Sequence, residues 1–415
     1  MTDAPRIMVT LPTPHDATAH MARVLHEEGL LGDYVVPLDL SKRRLPAAVE
    51  ARVDLDQWRH PIPAVSGAPV HELVAAAGFR LLSGRSWARG TRWFAEARAN
   101  SLDKASARRL RLGRNNAVLV LQGRTPRVAN AARKLGILML HQANADSWGI
   151  EERLTELADR APDDETRRDI LGEVWKGDAA RATESIRRAA CVLVESSRMQ
   201  KRVRSLVGDS VPSVALGQGV DAGFFVPASR DYSSGALAVT HISRVGYAKG
   251  VHITNEAIAR AGAAVAHCTV AGWDMDLTPL LVRRSTRVKF DGGLPKARVR
   301  SLLQQSDVFV LPTLADSMPR AVLEAMACGL PVITTGDSGY DDVIEHGVNG
   351  FLVPPGDAAA VAALLAQLSR DGELRRRVGA AARATAEANT WEAFGERFRS
   401  KLYAEILPSL GASAR

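Results

Sequence analysis

Two short apolar runs with a helical segment between them constrain the fold more than any other feature of this sequence. Val308 to Leu311 stops at a proline, and Val332 to Thr335 begins after one. Continuous apolar runs of this length are typical of strands buried on both faces, as in a parallel sheet. The segment between them predicts a helix about three turns long, with Pro319 at its first helical position and Asp316 or Ser317 as its cap. The stretch therefore predicts strand, loop, helix and strand in an α/β protein.

One carboxylate lies in the middle of this helix. The residues around Glu324 are almost all apolar, so the helix is expected to be packed on most of its sides. A buried carboxylate is costly unless it is paired or hydrogen-bonded. Arg320, one turn earlier, offers an ion pair. Alternatively, sugar hydroxyls would satisfy Glu324, while the start of the helix attracts a diphosphate through its N–H groups and its dipole. The residues alone leave both interpretations open.

The same stretch is similar to a known family. Asp316-x7-Glu324 resembles the acid-x7-acid motif of the retaining GT-B glycosyltransferases of the family-four type, the glycosyl transferases group 1. The residues from Glu324 to Val332 and from Asn349 to Asp357 fit the family pattern almost residue for residue. This resemblance implies an α/β protein with two Rossmann-like domains facing across a cleft, and a C-terminal helix that returns to the first domain. It also implies a hexosyltransferase that moves a hexose from a nucleotide diphosphate sugar to an acceptor hydroxyl with retention of the anomeric configuration.

Length and composition predict an ordinary globular protein of two domains. The chain has 415 residues, more than one compact core usually holds. Its composition is 46% apolar and 24% charged. Cys191, Cys268 and Cys328 are odd in number, far apart and set among apolar residues, so we expect reduced core residues. The N-terminus shows no signal segment and no apolar run approaches membrane-spanning length, which predicts a cytoplasmic protein.

The domain boundaries are expected near a polar, turn-rich segment in the middle of the chain. Pro227 to Gly235 is predicted to link the domains. Residues 1–227 would form an acceptor-side domain, and residues 228–389 a nucleotide-sugar-binding domain. Residues 390–415 resemble the closing helix of the family and are predicted to cross back to the first domain.

A lone histidine is the main functional candidate in the first domain. His141 follows the apolar run Ile137 to Leu140, and ligands of open parallel sheets gather at the carboxyl ends of strands. Such a histidine is often structural, but the resemblance implies a position near the donor sugar. The family usually has a glycine pair in its first turn, whereas Pro12 to Asp16 contains no glycine. His15 or Thr13 is the expected substitute.

Two cations near the start of the second domain are the predicted ligands of the donor diphosphate. Val239 to Gly250 resembles the family's strand followed by Gly-Arg and Lys-Gly, although Ser243 stands where the family has glycine. Arg244 and Lys249 lie on the loop that enters the next helix. They are either surface residues or, as the resemblance implies, the residues that hold the diphosphate.

The resemblance assigns the rest of the donor to the acid-x7-acid stretch. Glu324 would bind the ribose diol. Asp316, with the N–H groups of Ser317 and Met318, would orient the sugar. The helix N-terminus near Pro319 would help the two cations to neutralise the leaving diphosphate, a form of electrostatic stabilisation of the transition state.

The nucleotide base is expected to contact only backbone atoms of the protein. The segment that contains Val288 and Phe290 is similar to the family segment with that role. No cofactor and no metal is implied. The Asp-x-Asp pairs at 54–56 and 274–276 lack the context of a metal site, and we interpret both as structural.

Other functions and mechanisms remain open. One is another GT-B enzyme, either a nucleotide-sugar epimerase or a sugar-phosphate synthase. Another is a non-catalytic sugar-nucleotide-binding protein, because Asp316 replaces the commoner glutamate and Ser317 the commoner glycine. No carboxylate is evident as a covalent nucleophile on the acceptor side. This favours same-face attack with the departing phosphate as base, and a double displacement is the alternative.

One stretch of the first domain is strongly basic. Residues 80–134 contain fourteen Arg or Lys and two acids, Glu96 and Asp103. Such charges among Ala and Leu are often a solvated helical face. Alternatively, they attract anionic lipid headgroups at the inner face of the membrane, or a phosphorylated acceptor. The acceptor itself is expected to be a saccharide, a lipid-linked molecule or a small molecule. Few aromatics and no recognition motif argue against nucleic acid.

Overall fold

Two sheets of parallel strands organise the described part of the chain. The computed structural model describes residues 5–10, 16–36, 62, 65–66, 87–113, 115–121, 125–143, 146–174, 178–232, 235–272 and 287–413. Thr13, His15 and both Asp-x-Asp pairs lie outside these residues, so their predicted roles stay predictions.

The first sheet is built from the first half of the chain. Its described strands are β1 (Ile7–Thr10), β2 (Leu31–Val36), β3 (Val65–Ser66), β4 (Ala117–Leu121), β5 (Leu138–Ala143), β6 (Cys191–Val194) and β7 (Ser213–Ala215). They lie in the order β3-β2-β1-β4-β5-β6-β7, and neighbouring strands are parallel.

The second sheet repeats this arrangement. Its described strands are β8 (Leu237–Ile242), β9 (Val265–Ala271), β10 (Val288–Gly292), β11 (Val308–Leu311), β12 (Val332–Thr335) and β13 (Phe351–Val353). Their order is β10-β9-β8-β11-β12-β13, again with parallel neighbours. Both orders begin 3-2-1-4-5-6, as in doubly wound folds, so each sheet has one point where the direction of winding reverses.

Helices connect these strands. Those of the first half are α1 (Asp16–Glu27), α2 (Trp87–Leu112), α3 (Pro126–Leu135), α4 (Ser147–Asp159), α5 (Asp164–Gly172), α6 (Asp178–Ile186) and α7 (Ser197–Val207). Those of the second half are α8 (Val251–Ala261), α9 (Lys296–Gln304), α10 (Arg320–Ala327), α11 (Ala358–Arg370), α12 (Gly372–Ala388), α13 (Trp391–Lys401) and α14 (Leu407–Ser413). Within the described ranges, no helix combines the length and the apolar character that crossing a membrane requires.

The helix between the two apolar runs is shorter than the sequence predicts. β11 and β12 have the predicted bounds, and all of their residues are buried. α10, however, has eight residues, and Pro319 stands at its N-cap rather than inside it, without a side-chain cap. Asp316 and Ser317 do not cap the helix, because the chain between Asp316 and Met318 is bonded to a segment beyond β12 instead.

The C-terminal helices pack on the first half. The rings of His20 in α1 and Trp391 in α13 stack with centroids 4.7 Å apart. Phe394 and Phe398 are buried in the same apolar cluster as Met21 of α1. The predicted fold class is therefore confirmed, including the returning helix. The residue bounds predicted for the domains stay predictions.

Candidate active site

The residues predicted to bind the diphosphate and the sugar follow two adjacent strands of the second sheet. Residues 243–250 come after β8 and residues 312–319 after β11, and these strands are neighbours. The direction of winding reverses between them, which is where doubly wound sheets bind ligands. The two loops are in contact, since the Thr313 hydroxyl donates to the Ala248 carbonyl at 2.8 Å.

Lys249 and Asp316 meet at this point. The Lys249 ammonium is hydrogen-bonded to Asp316 Oδ2, and the two side chains are only 18% and 11% exposed. Water screens such a sheltered pair less than a surface pair, and each charge depends on the other. The sequence predicted both residues as ligands of the donor but did not predict their pairing.

Residues 316–318, which we call the site loop, are held by a second segment. Asp316 N donates to the Asp337 carbonyl at 3.1 Å, and Met318 N donates to the Ser338 carbonyl at 2.7 Å. Ser317 N donates to the Asp316 carboxylate at 2.9 Å. Met318 has φ 45°, the only positive φ among the described residues other than glycine. The N–H groups predicted to orient the sugar are thus already bonded within the protein.

The loop of residues 243–250 is anchored at its start by a histidine that sequence reasoning missed. His241 is buried, and its Nε2 lies 2.8 Å from the Ser243 hydroxyl, which donates to the Arg244 carbonyl at 3.0 Å. Burial, with the nearby charge of Lys249, lowers the pKa of His241 to about 3, so the ring is neutral at pH 7. Arg244 itself is exposed. Ser243, where the family has glycine, therefore ties the loop to the sheet.

A carboxyl group from the first half holds the same loop. Glu173, directly after α5, accepts hydrogen bonds from Tyr247 N and, at 3.1 Å, from Ala248 N. A Cβ atom on Gly246 would lie 2.7 Å from Glu173 Oε2, so a larger residue at this position would displace the carboxyl group. Burial raises the pKa of Glu173, whereas the two N–H donors lower it. Nothing in the sequence marks this contact, which joins residues more than 70 positions apart.

A second carboxyl group from the first half lies against the site loop. Glu195 follows β6 directly and is 5% exposed. Burial raises its pKa well above the usual range; the Ser317 hydroxyl opposes this rise and Asp316 adds to it. Our sequence analysis did not single out this carboxyl group. The signal was present, because a carboxyl directly after a buried strand has the same position that we predicted for His141.

His141 lies inside β5 rather than after it, because the strand continues to Ala143. Its Nδ1 is 3.0 Å from the Ser185 hydroxyl on α6. Its Nε2 is buried and has no partner among the residues that the structure describes. Burial lowers the pKa of His141 to about 4, so the ring is neutral at pH 7. Its role near the donor sugar stays a prediction.

The residues predicted to bind the ribose and the base lie within a helix and a strand. Glu324 is in the middle of α10 and is half-buried, although its neighbours Leu323 and Ala325 are fully buried. Val288 and Phe290 lie in β10, at the edge of the second sheet. Their contacts with a ribose and a base stay predictions.

We expect the replacement of Glu324 with glutamine to weaken donor binding while the fold survives. The amide keeps the shape of the side chain but loses the charge-assisted hydrogen bonds to the ribose diol, which are roughly twice as strong as neutral ones. Titration calorimetry with a nucleotide sugar measures the affinity, and Glu345→Gln, at an exposed position of the same half, is the control. Unchanged affinity with a lowered melting temperature would assign Glu324 to the ion pair with Arg320.

Ion pairs beside the site join the two halves. Asp337, only 16% exposed, is hydrogen-bonded to Arg198 of α7 and, at 3.0 Å, to Arg153 of α4. Ser197 N donates to the Asp342 carboxylate at 2.6 Å. Because the Asp337 carbonyl also accepts a hydrogen bond from the site loop, these contacts connect the first half of the chain to the residues predicted to bind the donor.

Comparison with known proteins agrees with this geometry. Residues 232–385 match the model of the family described as Glycosyl transferases group 1. One relative is the amylovoran biosynthesis glycosyltransferase AmsK of Erwinia amylovora, 39% identical over 129 residues, which are 30% of this chain and 31% of that protein. The match thus spans about a third of the relative's length.

Two solved structures resemble nearly the whole chain. A sucrose-phosphate synthase from Thermosynechococcus elongatus covers 98% of this chain and 100% of its own, with a TM-score of 0.68 and 16% identity. HepE of Anabaena, in complex with UDP and glucose, covers 96% and 100%, with a TM-score of 0.64 and 16% identity. Identities this low show the fold alone. The matched segment contains both Lys249 and the acid-x7-acid stretch, so the similarity to the glycosyl transferases group 1 that the sequence predicted is confirmed for residues 232–385.

Proposed function

We propose that this protein transfers a hexose from a nucleotide diphosphate sugar to an acceptor hydroxyl, with retention of the anomeric configuration. The observation that carries the proposal is the sheltered pair of Lys249 and Asp316, which lies at the reversal point of the second sheet and within the family segment. HepE, which has a similar fold, was solved in complex with UDP and glucose, and this supports a nucleotide-sugar donor.

The pair suggests how the donor is received. A diphosphate offers the Lys249 ammonium more negative charge than one carboxylate does, so its arrival would draw the cation away from Asp316. The Asp316 carboxylate would then be an acceptor for sugar hydroxyls, which are donors. Lys249 and Arg244 would stabilise the leaving diphosphate, and Glu324 would hold the ribose.

Glu195 bears on how the configuration is retained. A double displacement needs an ionised carboxylate as nucleophile. Burial raises the pKa of Glu195 well above its usual range, which disfavours the ionised carboxylate that a nucleophile requires. Same-face attack, in which the departing phosphate takes the proton from the acceptor, needs no nucleophile from the protein. We therefore favour the second mechanism.

Two measurements test the proposal. The first is thermal unfolding with UDP-, GDP-, dTDP- and ADP-sugars, because a ligand at a hundred times its dissociation constant stabilises the folded state by about 2.7 kcal/mol. The second is the NMR spectrum of the product that the stabilising donor gives with a panel of saccharide and lipid-linked acceptors. An inverted product would overturn retention. Isomerised donor without an acceptor would indicate an epimerase, a sugar phosphate product a synthase, and binding without turnover a binding protein.

The described part of α2 supports a contact with an anionic membrane. Lys104, Arg108 and Arg111 are exposed and share one face of the helix, at positions i, i+4 and i+7. Of the two acids in the basic stretch, Asp103 is buried and accepts hydrogen bonds from two N–H groups at the start of α3. We propose that this basic face brings the enzyme to anionic lipid headgroups.

Salt-dependent binding to vesicles is the expected result. Each Arg or Lys near an anionic bilayer contributes about 1 kcal/mol, and the attraction falls off within about 10 Å at 0.1 M salt. Reversing the charges of Lys104, Arg108 and Arg111 should therefore abolish cosedimentation with vesicles that contain phosphatidylserine. The same reversal at Arg370, Arg376 and Arg377, which are exposed in the second half, is the control with equal net charge. Equal binding to neutral vesicles would show that this face is only a solvated helical surface.

A further inference from the structure

Two buried polar atoms in the candidate site have no hydrogen-bond partner among the described residues. They are Glu195 Oε2, from the end of β6, and Ser317 Oγ, from the site loop. Each residue is 5% exposed. The Ser317 hydroxyl is near enough to lower the pKa of Glu195, but no hydrogen bond of ordinary geometry joins the two side chains. Buried polar atoms nearly always have partners, so two unpartnered atoms at one place require an explanation.

A comparison within the chain argues against a structural role for Glu195. Asp103 is buried as completely, and its oxygens accept hydrogen bonds from Arg127 N at 2.9 Å and Val128 N at 3.0 Å. Among the described residues, Glu195 has one long contact of 3.5 Å, from Gln218 Nε2 to its Oε1, besides the nearby Ser317 hydroxyl that lowers its pKa. A carboxyl that stabilises the fold is expected to be bonded like that of Asp103, and Glu195 is not.

Burial and several charged groups act on the pKa of Glu195. Asp316 and Lys249 face it from the two loops, Arg320 from α10, and Tyr340 from the turn after β12. Burial is the largest influence and raises the pKa of Glu195 well above its usual range. Burial thus favours the protonated form, and a protonated carboxyl can donate one hydrogen bond and accept another. A sugar hydroxyl also donates one hydrogen bond and accepts others, so the two groups match.

We propose that Glu195 and Ser317 together bind a hydroxyl group of a sugar substrate, and that Glu195 is the part of the site contributed by the first half. The inference rests on the proposed function for the kind of substrate. The hydroxyl would accept a hydrogen bond from Glu195 and be bonded by the Ser317 hydroxyl as well. The sugar would then lie beside the pair of Lys249 and Asp316. The donor sugar and a saccharide acceptor offer the same chemistry, and the experiment separates them.

The experiment compares Glu195→Ala and Glu195→Gln in the full chain. Glu195→Ala is expected to raise KM about tenfold, the usual effect of one lost hydrogen bond, for the substrate that carries the hydroxyl. A raised KM for the nucleotide sugar identifies the donor, and a raised KM for the saccharide identifies the acceptor. Glu195→Gln should keep most of the affinity, because its amide still donates. Unchanged KM values in Glu195→Ala, or an equal loss in both variants, would overturn the proposal.

Melting temperatures distinguish this role from a structural one. Because Glu195 Oε2 has no partner among the described residues, Glu195→Gln should not melt below the wild type, whereas Asp103→Asn should. Because burial raises the pKa of Glu195 in the folded protein above the value of 4.5 expected for the unfolded chain, the wild type should lose stability as the pH rises above this value. Glu195→Gln has no such group, and its advantage in melting temperature should widen with pH. Lower melting temperatures for both Glu195 variants would make the residue structural and overturn the proposal.

A separate measurement keeps this proposal distinct from the proposed function. If the wild type transfers no sugar, the proposed function fails, but the hydroxyl contact still predicts a binding difference. Glu195→Ala should then bind the nucleotide sugar, or the saccharide, more weakly than the wild type, with unchanged affinity for the nucleoside diphosphate. If the wild type and Glu195→Ala bind the nucleotide sugar, the saccharide and the nucleoside diphosphate equally well, the proposed role of Glu195 is overturned. This result would leave the proposed function untouched.

Discussion

Replacing Lys249 with alanine is expected to raise the activation free energy of sugar transfer by roughly 2 to 4 kcal/mol, the effect of removing one group that stabilises charge in a transition state. The Lys249 side chain is 18% exposed and lies against Asp316. In a site with so little water, the attraction between the ammonium and a leaving diphosphate is stronger than at the surface. Single-turnover measurements at saturating donor report this change in the chemical step.

The same substitution leaves Asp316 unpaired, so stability has to be measured beside turnover. Breaking a sheltered ion pair by removing one partner is destabilising. The double variant Lys249→Ala with Asp316→Asn should recover melting temperature but not turnover. Lys296→Ala is the matched control, because this lysine pairs with Asp221 at 3.3 Å and its side chain is 52% exposed. Turnover of Lys249→Ala equal to that of Lys296→Ala would remove Lys249 from the reaction.

The sequence predicted the strands around the site loop because their burial leaves a plain local pattern. β11 and β12 are buried on both faces, and a strand in that position has to be apolar at every residue. The start of α10 was less predictable. Proline, aspartate and serine are all common at helix starts, and which of them caps depends on where the preceding chain is bound. Here Asp337 and Ser338, which follow β12, bind the site loop, and α10 begins after Pro319.

The residues of the candidate site were likewise predictable only where a local sequence pattern marks them. Lys249 and Asp316 were predicted separately, each from its own motif, but their ion pair joins residues 67 apart, and neither motif contains the other. His141 was predicted at a strand end because the polar residues after Leu140 resemble a loop. The strand continues to Ala143 because His141 and Gln142 pair with β6. Side-chain polarity alone does not show whether the backbone of such residues is part of a sheet.

Contacts between the two halves were beyond local reasoning. Glu173 stands in a segment rich in charged residues, yet it is 6% exposed and binds the loop that carries Arg244 and Lys249. The arrangement of the two sheets brings these residues together. A carboxyl whose partners are backbone N–H groups leaves no complementary charge or motif in the partner segment, so no residue pattern signals the contact.

Replacing Glu173 with glutamine is expected to destabilise the protein, although less than replacing it with alanine. Both oxygens of Glu173 accept hydrogen bonds, from Tyr247 N and Ala248 N, whereas glutamine has one acceptor and one donor. In Glu173→Gln one backbone N–H would therefore face the amide NH2 group. In Glu173→Ala both would lose their partners, and each unsatisfied buried donor costs about 1 to 3 kcal/mol. We expect a fall of about 2 to 6 kcal/mol in the free energy of unfolding of Glu173→Ala, and a smaller fall for Glu173→Gln.

This prediction also concerns catalysis, because the same loop presents Lys249 to the donor. Displacement of Tyr247 and Ala248 would move the ammonium relative to the diphosphate, so kcat should fall in folded Glu173→Gln at temperatures well below its melting point. Glu165→Gln, the same substitution at an exposed position of α5, is the control. A Glu173→Gln variant that matches Glu165→Gln in both melting temperature and kcat would show that Glu173 neither supports the fold nor positions the loop. A loss of stability with unchanged kcat would confine Glu173 to holding the two halves together, because the position of Lys249 would then be independent of it.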